Sequence, residues 1–168
     1  MSGGALGLLV GGAVALLVWL RPRQLANVTT SETFDVMNVI GLTSYSDSIV
    51  RFANAIARAE GYFVSGSIPQ RANNPGNLVI PGWPVDKTLG VERISVFPTI
   101  EEGWNRLYKQ LQLIASGRSS VYTDLDMTLV QMGQKWAPGG ANNVPGAWAY
   151  NVAQGLGVST STPLRALL

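Results

Sequence analysis

The chain has 168 residues, with 12 lysines and arginines against 10 acidic residues, and it contains neither histidine nor cysteine. Lack of cysteine excludes disulfides, thiolate metal sites and thiol nucleophiles, and lack of histidine removes the Ser-His-Asp triad and the commonest metal ligand. The basic residues are scattered and the net charge is only +2, so no nucleic-acid partner is expected, and acid–base chemistry falls to a carboxylate, a tyrosine or a perturbed lysine.

A chain of this length holds one modest domain and an appendage. The appendage comes first. Residues 3–20 carry no charge and no proline, and they end at Trp19 with Arg21 and Arg23 just beyond. Such a run is long enough for a bilayer-spanning helix with an interfacial aromatic. A cleaved signal peptide would carry its basic residues before the apolar run and a small-residue cleavage site after it, and neither is present. A soluble helix would show a polar face. The expectation is therefore a transmembrane anchor over 3–20 and a lipid membrane as partner. Residues 21–44, polar and rich in threonine and serine, read as a linker. Residues 45–168 form the domain.

Within it, Ile49, Phe52, Ala53, Ile56 and Ala59 recur at helical spacing, which predicts a helix over 45–62. Ser46 or Asp47 caps it, and Gly61 stops it just after Glu60. Residues 63–88 contain four prolines and read as a long loop, a feature usually kept for function. Residues 89–97 have a short extended pattern. Thr99-Ile100-Glu101-Glu102 is a capping box opening a helix to about Ser116. Further helices are predicted from about Asp126 to Trp136, where Pro138 and Gly139 follow, and from about Ala147 to Leu156, with Gly157 as the stop. The fold class is mainly α with a small β element, preceded by one transmembrane helix.

From Asp47 onward the chain has eight carboxylates. Asp47, Glu101, Glu102, Asp124 and Asp126 sit at helix starts, where they complement the macrodipole. Glu60 differs, because it meets the negative end of a helix. A carboxylate so placed either lies exposed at a frayed terminus or has a raised pKa and keeps its proton near neutrality. Close by, Arg71-Ala72-Asn73-Asn74-Pro75-Gly76-Asn77-Leu78 is a turn by composition, and its three amides also suit sugar hydroxyls and acetamido groups.

Taken together, Glu60-Gly61 and the 71–78 segment resemble the lysozyme-like domains of phage and bacterial lytic transglycosylases with an R-N-N-N-P-G-N-I signature. Phe97-Pro98-Thr99-Ile100-Glu101-Glu102-Gly103, Trp136-Ala137-Pro138 with Asn142-Asn143, and Tyr150-Asn151-Val152-Ala153 with Leu156-Gly157-Val158 extend the resemblance, in order, over residues 49–164. It departs at Ala72, where the signature has Asn, and at Ala147-Trp148, where the family carries polar residues. The resemblance implies an α+β lysozyme-like fold whose partner is a peptidoglycan glycan strand. Glu60 would be the acid that cleaves the β-1,4 bond between N-acetylmuramic acid and N-acetylglucosamine. Asn73, Asn74 and Asn77 would shape the loop and contact substrate. Tyr150 would reach Glu60 or the sugar. Trp83 is the better stacking platform, and Trp136 reads as core. No metal and no cofactor is implied.

Lytic transglycosylases need no second carboxylate. In the alternative, a hydrolytic muramidase, Asp86 or Glu92 would be the partner acid. A non-catalytic virion membrane or structural protein retaining the fold is the other alternative. The arginines after the span would hold the domain on the cytoplasmic side, whereas a wall-cleaving domain belongs on the other. A phage virion membrane, with other virion membrane proteins as neighbours and action in the host periplasm, removes that conflict.

Overall fold

The computed structural model describes residues 45–86, 88, 94–138 and 144–168. The apolar run at 3–20 and the linker at 21–44 therefore lie outside the described residues, as does most of the stretch expected to be extended at 89–97. Among the described residues no helix is long and apolar enough to cross a membrane. The chain divides after Ser44, and Tyr45–Leu168 forms a unit of its own.

This unit is mainly helical. Among the described residues its α-helices are α1 (Asp47–Ala59), α2 (Ile68–Arg71), α3 (Ile100–Ala115), α4 (Leu129–Trp136) and α5 (Pro145–Leu156), followed by a 3-10 turn at Leu164–Ala166. Pairing of β type among the described residues is limited to two isolated antiparallel bridges, Val85 with Ser95 and Thr128 with Pro163. The helix boundaries have local causes. Ser46 accepts from the Ile49 amide and Thr99 from the Glu102 amide, satisfying donors that a helix start leaves free. The helix expected from Asp126 begins instead at Leu129. Thr128 and Gln131 close a reciprocal capping box there, and Asp124 Oδ1 turns the preceding chain by accepting from the Asp126 amide. α5 starts two residues before the expected Ala147, with Pro145 in its first turn and no side-chain cap, a position that proline's fixed φ favours.

α1 is the central element. Ile49, Phe52, Ala53, Ala55, Ile56 and Ala57 are buried, which covers more than one face, and α1 packs on both α3 and α5 while α5 also packs on α4. Leu107, Leu111 and Ile114 of α3, Leu129 and Met132 of α4, and Ala149, Val152 and Ala153 of α5 complete one core with Leu164. Each large apolar side chain buried there contributes about 2 kcal/mol of transfer free energy. The α1–α5 contact is close because both helices use small residues: a Cβ on Gly155 would lie 3.0 Å from the Ala55 Cβ.

The long loop after α1 is not structureless. It contains α2, capped by Ser67 and opened by Pro69. α2 ends with the Asn73 amide bonded to the Gln70 carbonyl and the Asn74 amide to the Pro69 carbonyl, a Schellman-type stop with Asn73 in the left-handed region at φ 51.

Candidate active site

Glu60 is the C-cap of α1, and the chain reverses immediately after it. Gly61, at φ 75, allows the Gly61 amide to reach the Arg58 carbonyl at 3.0 Å and the Tyr62 amide to reach the Ala57 carbonyl at 2.9 Å. Those bonds satisfy the last carbonyls of α1, so the helix end is closed and not frayed. The Glu60 side chain turns inward and is partly buried. Trp148 of α5 donates its indole N–H to Oε1 at 2.8 Å, and Asn77 donates its side-chain amide to Oε2 at 3.1 Å. Each carboxylate oxygen thus has one neutral donor.

Burial raises the Glu60 pKa above its ordinary value, and the bonds from Trp148, then Asn77, then a weaker influence of the Trp136 indole, partly offset that rise. The sequence argument for a raised pKa invoked the helix terminus, but desolvation is the larger cause. Neither of the two ion pairs among the described residues involves Glu60; they join Arg106 to Glu102 and Arg165 to Asp126.

Two indoles make the wall beside the carboxyl. Trp136, the last residue of α4, stacks on Trp148 with ring centroids 5.8 Å apart, touches Tyr122 on its other side, and donates its own N–H to the Gly76 carbonyl at 3.2 Å. Gly133 makes this possible. A Cβ there would stand 2.7 Å from the Pro145 carbonyl oxygen and 3.2 Å from the Trp148 ring, so only glycine lets the first turn of α5 lie so close to α4.

The asparagine loop forms the opposite side. Asn74 is fully buried. Its Oδ1 accepts from the Leu78 amide at 2.8 Å, and its Nδ2 donates to the carbonyls of Leu78 and Ser95 at 2.9 and 2.8 Å. Asn73 donates to the Phe97 carbonyl at 3.0 Å. Asn74 is thus committed to main chain at both ends of its amide and builds the loop, while Asn73 is tied to it through its Nδ2. Asn77, again left-handed at φ 51, is the one of the three that reaches Glu60. The loop is held against α3 at Gly103, where a Cβ would collide with the Asn73 carbonyl oxygen at 1.7 Å.

No family model, curated protein or solved structure matches this chain. The reading of the site therefore rests on its own residues.

Several expected residues stand elsewhere. Tyr150 does not reach Glu60; it is 57% exposed. A helix turns about 100° per residue, so Trp148 and Tyr150 on α5 point to nearly opposite sides, and Trp148 holds the inner one. Trp83 is half-buried. It lies edge-on to Phe97 with centroids 5.1 Å apart, and the Arg106 guanidinium sits 4.6 Å above its ring, so a cation already occupies one face of the expected stacking platform. Asp86 is tied to the amide and hydroxyl of Thr88 at 2.8 and 2.6 Å, bonds that hold its pKa below the ordinary carboxylate value. Glu92 lies outside the described residues. Among the described residues no group of acidic side chains could hold a metal ion.

The residue that sequence reasoning missed is Trp148. Its signal was present as the departure at Ala147-Trp148, an apolar pair where the resembled family carries polar residues. Chemically, the site is one carboxyl group whose burial favours the protonated form, set between indole and amide donors that stabilise the anion once the proton has gone.

Proposed function

We propose that this chain is a peptidoglycan lytic transglycosylase with a lysozyme-like fold, anchored to a membrane through residues 3–20 and carried in a phage virion, where it opens the host wall locally during genome entry. The observation that carries the reading is the Glu60 carboxyl, partly buried, raised in pKa by desolvation, and held by Trp148 and Asn77 without a charged partner. General acids of this kind are neutral at working pH because their surroundings disfavour the anion.

In the proposed reaction Glu60 gives its proton to the glycosidic oxygen as the bond to the muramoyl C1 breaks, releasing the 4-hydroxyl of N-acetylglucosamine. The carboxylate then takes the proton of the muramoyl 6-hydroxyl as that oxygen bonds to C1. The product end is a 1,6-anhydro ring, water is not consumed, and Glu60 finishes protonated as it began. The indole and amide bonds support the intermediate carboxylate between the two proton transfers.

The test uses the full chain, wild type beside Glu60→Gln, incubated with purified peptidoglycan and read by mass spectrometry of the soluble products. The expected result is anhydro-ended fragments from wild type and a loss of at least about a hundredfold in the variant, the scale of a missing general acid. Reducing-end fragments would establish a hydrolase instead. No release by a folded wild-type protein would leave the fold as a scaffold in the virion membrane.

A further inference from the structure

Asn77 carries a feature that substrate cleavage by Glu60 does not require. Its Oδ1 is buried and has no hydrogen-bond partner, although its Nδ2 bonds to Glu60 Oε2. A buried acceptor left unpaired costs free energy and calls for an explanation. The backbone of Asn77 is fixed, with its amide bonded to the Asn74 carbonyl at 3.0 Å and its φ at 51. Only the side-chain amide plane has freedom, and the last torsion of asparagine is soft and roughly two-fold.

The two oxygens of Glu60 are not equivalent. Oε1 accepts from the Trp148 indole, which can only donate. In the neutral acid the carbonyl oxygen is the better acceptor, so Trp148 assigns the carbonyl to Oε1 and the hydroxyl to Oε2. That hydroxyl then faces Asn77. With Nδ2 toward it, as in the structure, an O–H would meet an NH2 group, donor against donor. The orientation seen therefore suits the carboxylate. Turned by half a rotation, the same amide presents Oδ1 and accepts the acid's proton.

We infer that the Asn77 amide turns over as Glu60 gains and loses its proton, donating through Nδ2 to the carboxylate and accepting through Oδ1 from the carboxylic acid. In the orientation seen, Oδ1 has no partner, so no third group holds that end of the amide in place. Charged and titratable side chains on the surrounding elements do not compete. Arg58 on α1, Arg71 on α2, Lys135 on α4, Tyr150 on α5 and the Tyr122 hydroxyl make no hydrogen bond or ion pair with Glu60 among the described residues; Arg58 lies over the Phe63 ring, and the α3 pair Glu102–Arg106 is joined to itself. Asn77 is thus a positioning residue for both protonation states, and it holds the transferable proton on the oxygen that faces the loop. Its bearing on catalysis rests on the proposed role of Glu60, but the rotation itself is read without substrate.

The experiment is NMR on the full chain with glutamate carboxyl carbons and asparagine side-chain nitrogens labelled, titrated from acid to neutral pH. The expected result is that the Asn77 Nδ2 hydrogens shift with the same midpoint as the Glu60 carboxyl. In Glu60→Gln, whose amide N–H replaces the acid O–H, the Asn77 signals should sit at their acid limit at every pH. Asn77→Gly keeps the left-handed backbone and removes the amide. Trp148 can only donate, more strongly to the carboxylate than to the carbonyl of the neutral acid. The turning amide of Asn77 serves each form with a matching group, so the midpoint should move less in Asn77→Gly than in Trp148→Phe. An Asn77 amide that stays unchanged through the Glu60 titration would overturn the inference. So would an Asn77→Gly midpoint raised as far as that of Trp148→Phe, which would make Asn77 a fixed donor to the anion. Should Asn77→Gly fail to fold, the wild-type and Glu60→Gln titrations decide the matter alone. A protein that shows the rotation but releases no wall fragments would separate this device from the catalytic reading.

Discussion

Glu60 is kept acidic by two opposed effects, and their balance gives it a stability signature. Burial raises its pKa in the folded protein, so the folded state binds the proton more tightly than the unfolded chain. The contribution of Glu60 to stability is then fully present below the ordinary value of 4.5 and is lost as pH rises through the folded pKa. Glu60→Gln removes the titration. The variant should melt above wild type at neutral pH, and the gap should close as pH falls below 4.5; thermal unfolding across pH measures this. Trp148→Phe keeps an aromatic ring, though a smaller one, and deletes the donor to Oε1. The carboxylate loses its shortest bond, Glu60 holds its proton longer, and the alkaline limb of the proposed wall-cleaving activity should move to higher pH. At this scale the sequence was legible for the acid and not for its partners. Glu60 stood out because a carboxylate at a helix end is unusual, whereas Trp148 could be placed only by knowing which way α5 is rolled against α1. Tyr150 fails for the same reason, being two residues away on a helix whose inner face is set by Ala149, Val152 and Ala153.

At the level of elements, helices were readable because their signals are local. The capping residue Thr99, the apolar period of α1, and the stops at Gly61 and Gly157 all act within one turn, whereas the Thr128 cap, which sets the start of α4 at Leu129, went unread. The loop between α1 and α3 was legible only as a loop. Its order comes from long-range bonds: Asn74 to Ser95, Asn73 to Phe97, and the Val96 amide to the Pro84 carbonyl. The described part of the extended stretch, residues 94–97, pairs with side chains and single carbonyls and forms no ladder, which explains why only one bridge appears there. α2 was missed because four residues that include a proline carry too little pattern to read. Gly103 is where the loop leans on α3. Gly103→Ala puts a methyl carbon into the space of the Asn73 carbonyl oxygen and should lower stability by roughly 3 kcal/mol, the upper range for overpacking. In urea this appears as a lower midpoint with an unchanged slope. Activity should fall further than the unfolded fraction explains, because Asn77 moves with the loop.

At the scale of the whole domain, helices from both ends of Tyr45–Leu168 share one core. α1 opens that stretch and Leu164 comes near its end, yet Phe52, Leu111, Met132, Val152 and Leu164 belong to the same buried cluster. Residues 45–168 should accordingly unfold in a single transition, with helix circular dichroism and tryptophan fluorescence reporting the same midpoint. Separate midpoints would mean that the loop and the helical core are independent units. That the ends of the domain meet was not legible from periodicity, which gives the apolar face of each helix but not its neighbour.

Among the described residues, every group that holds the Glu60 carboxyl is neutral, and this has a bearing on where such a site can operate. Dissolved ions screen attraction between charges, and they have little hold on hydrogen bonds made by indoles and amides in a partly buried setting. The protonation midpoint of Glu60 in the free protein should be nearly the same in dilute buffer and in strong salt, a comparison that a carboxyl titration at two ionic strengths makes directly. An acid tuned by a nearby arginine would drift as the medium changes. This one carries its own surroundings with it, and its setting would survive transfer between compartments of very different salinity.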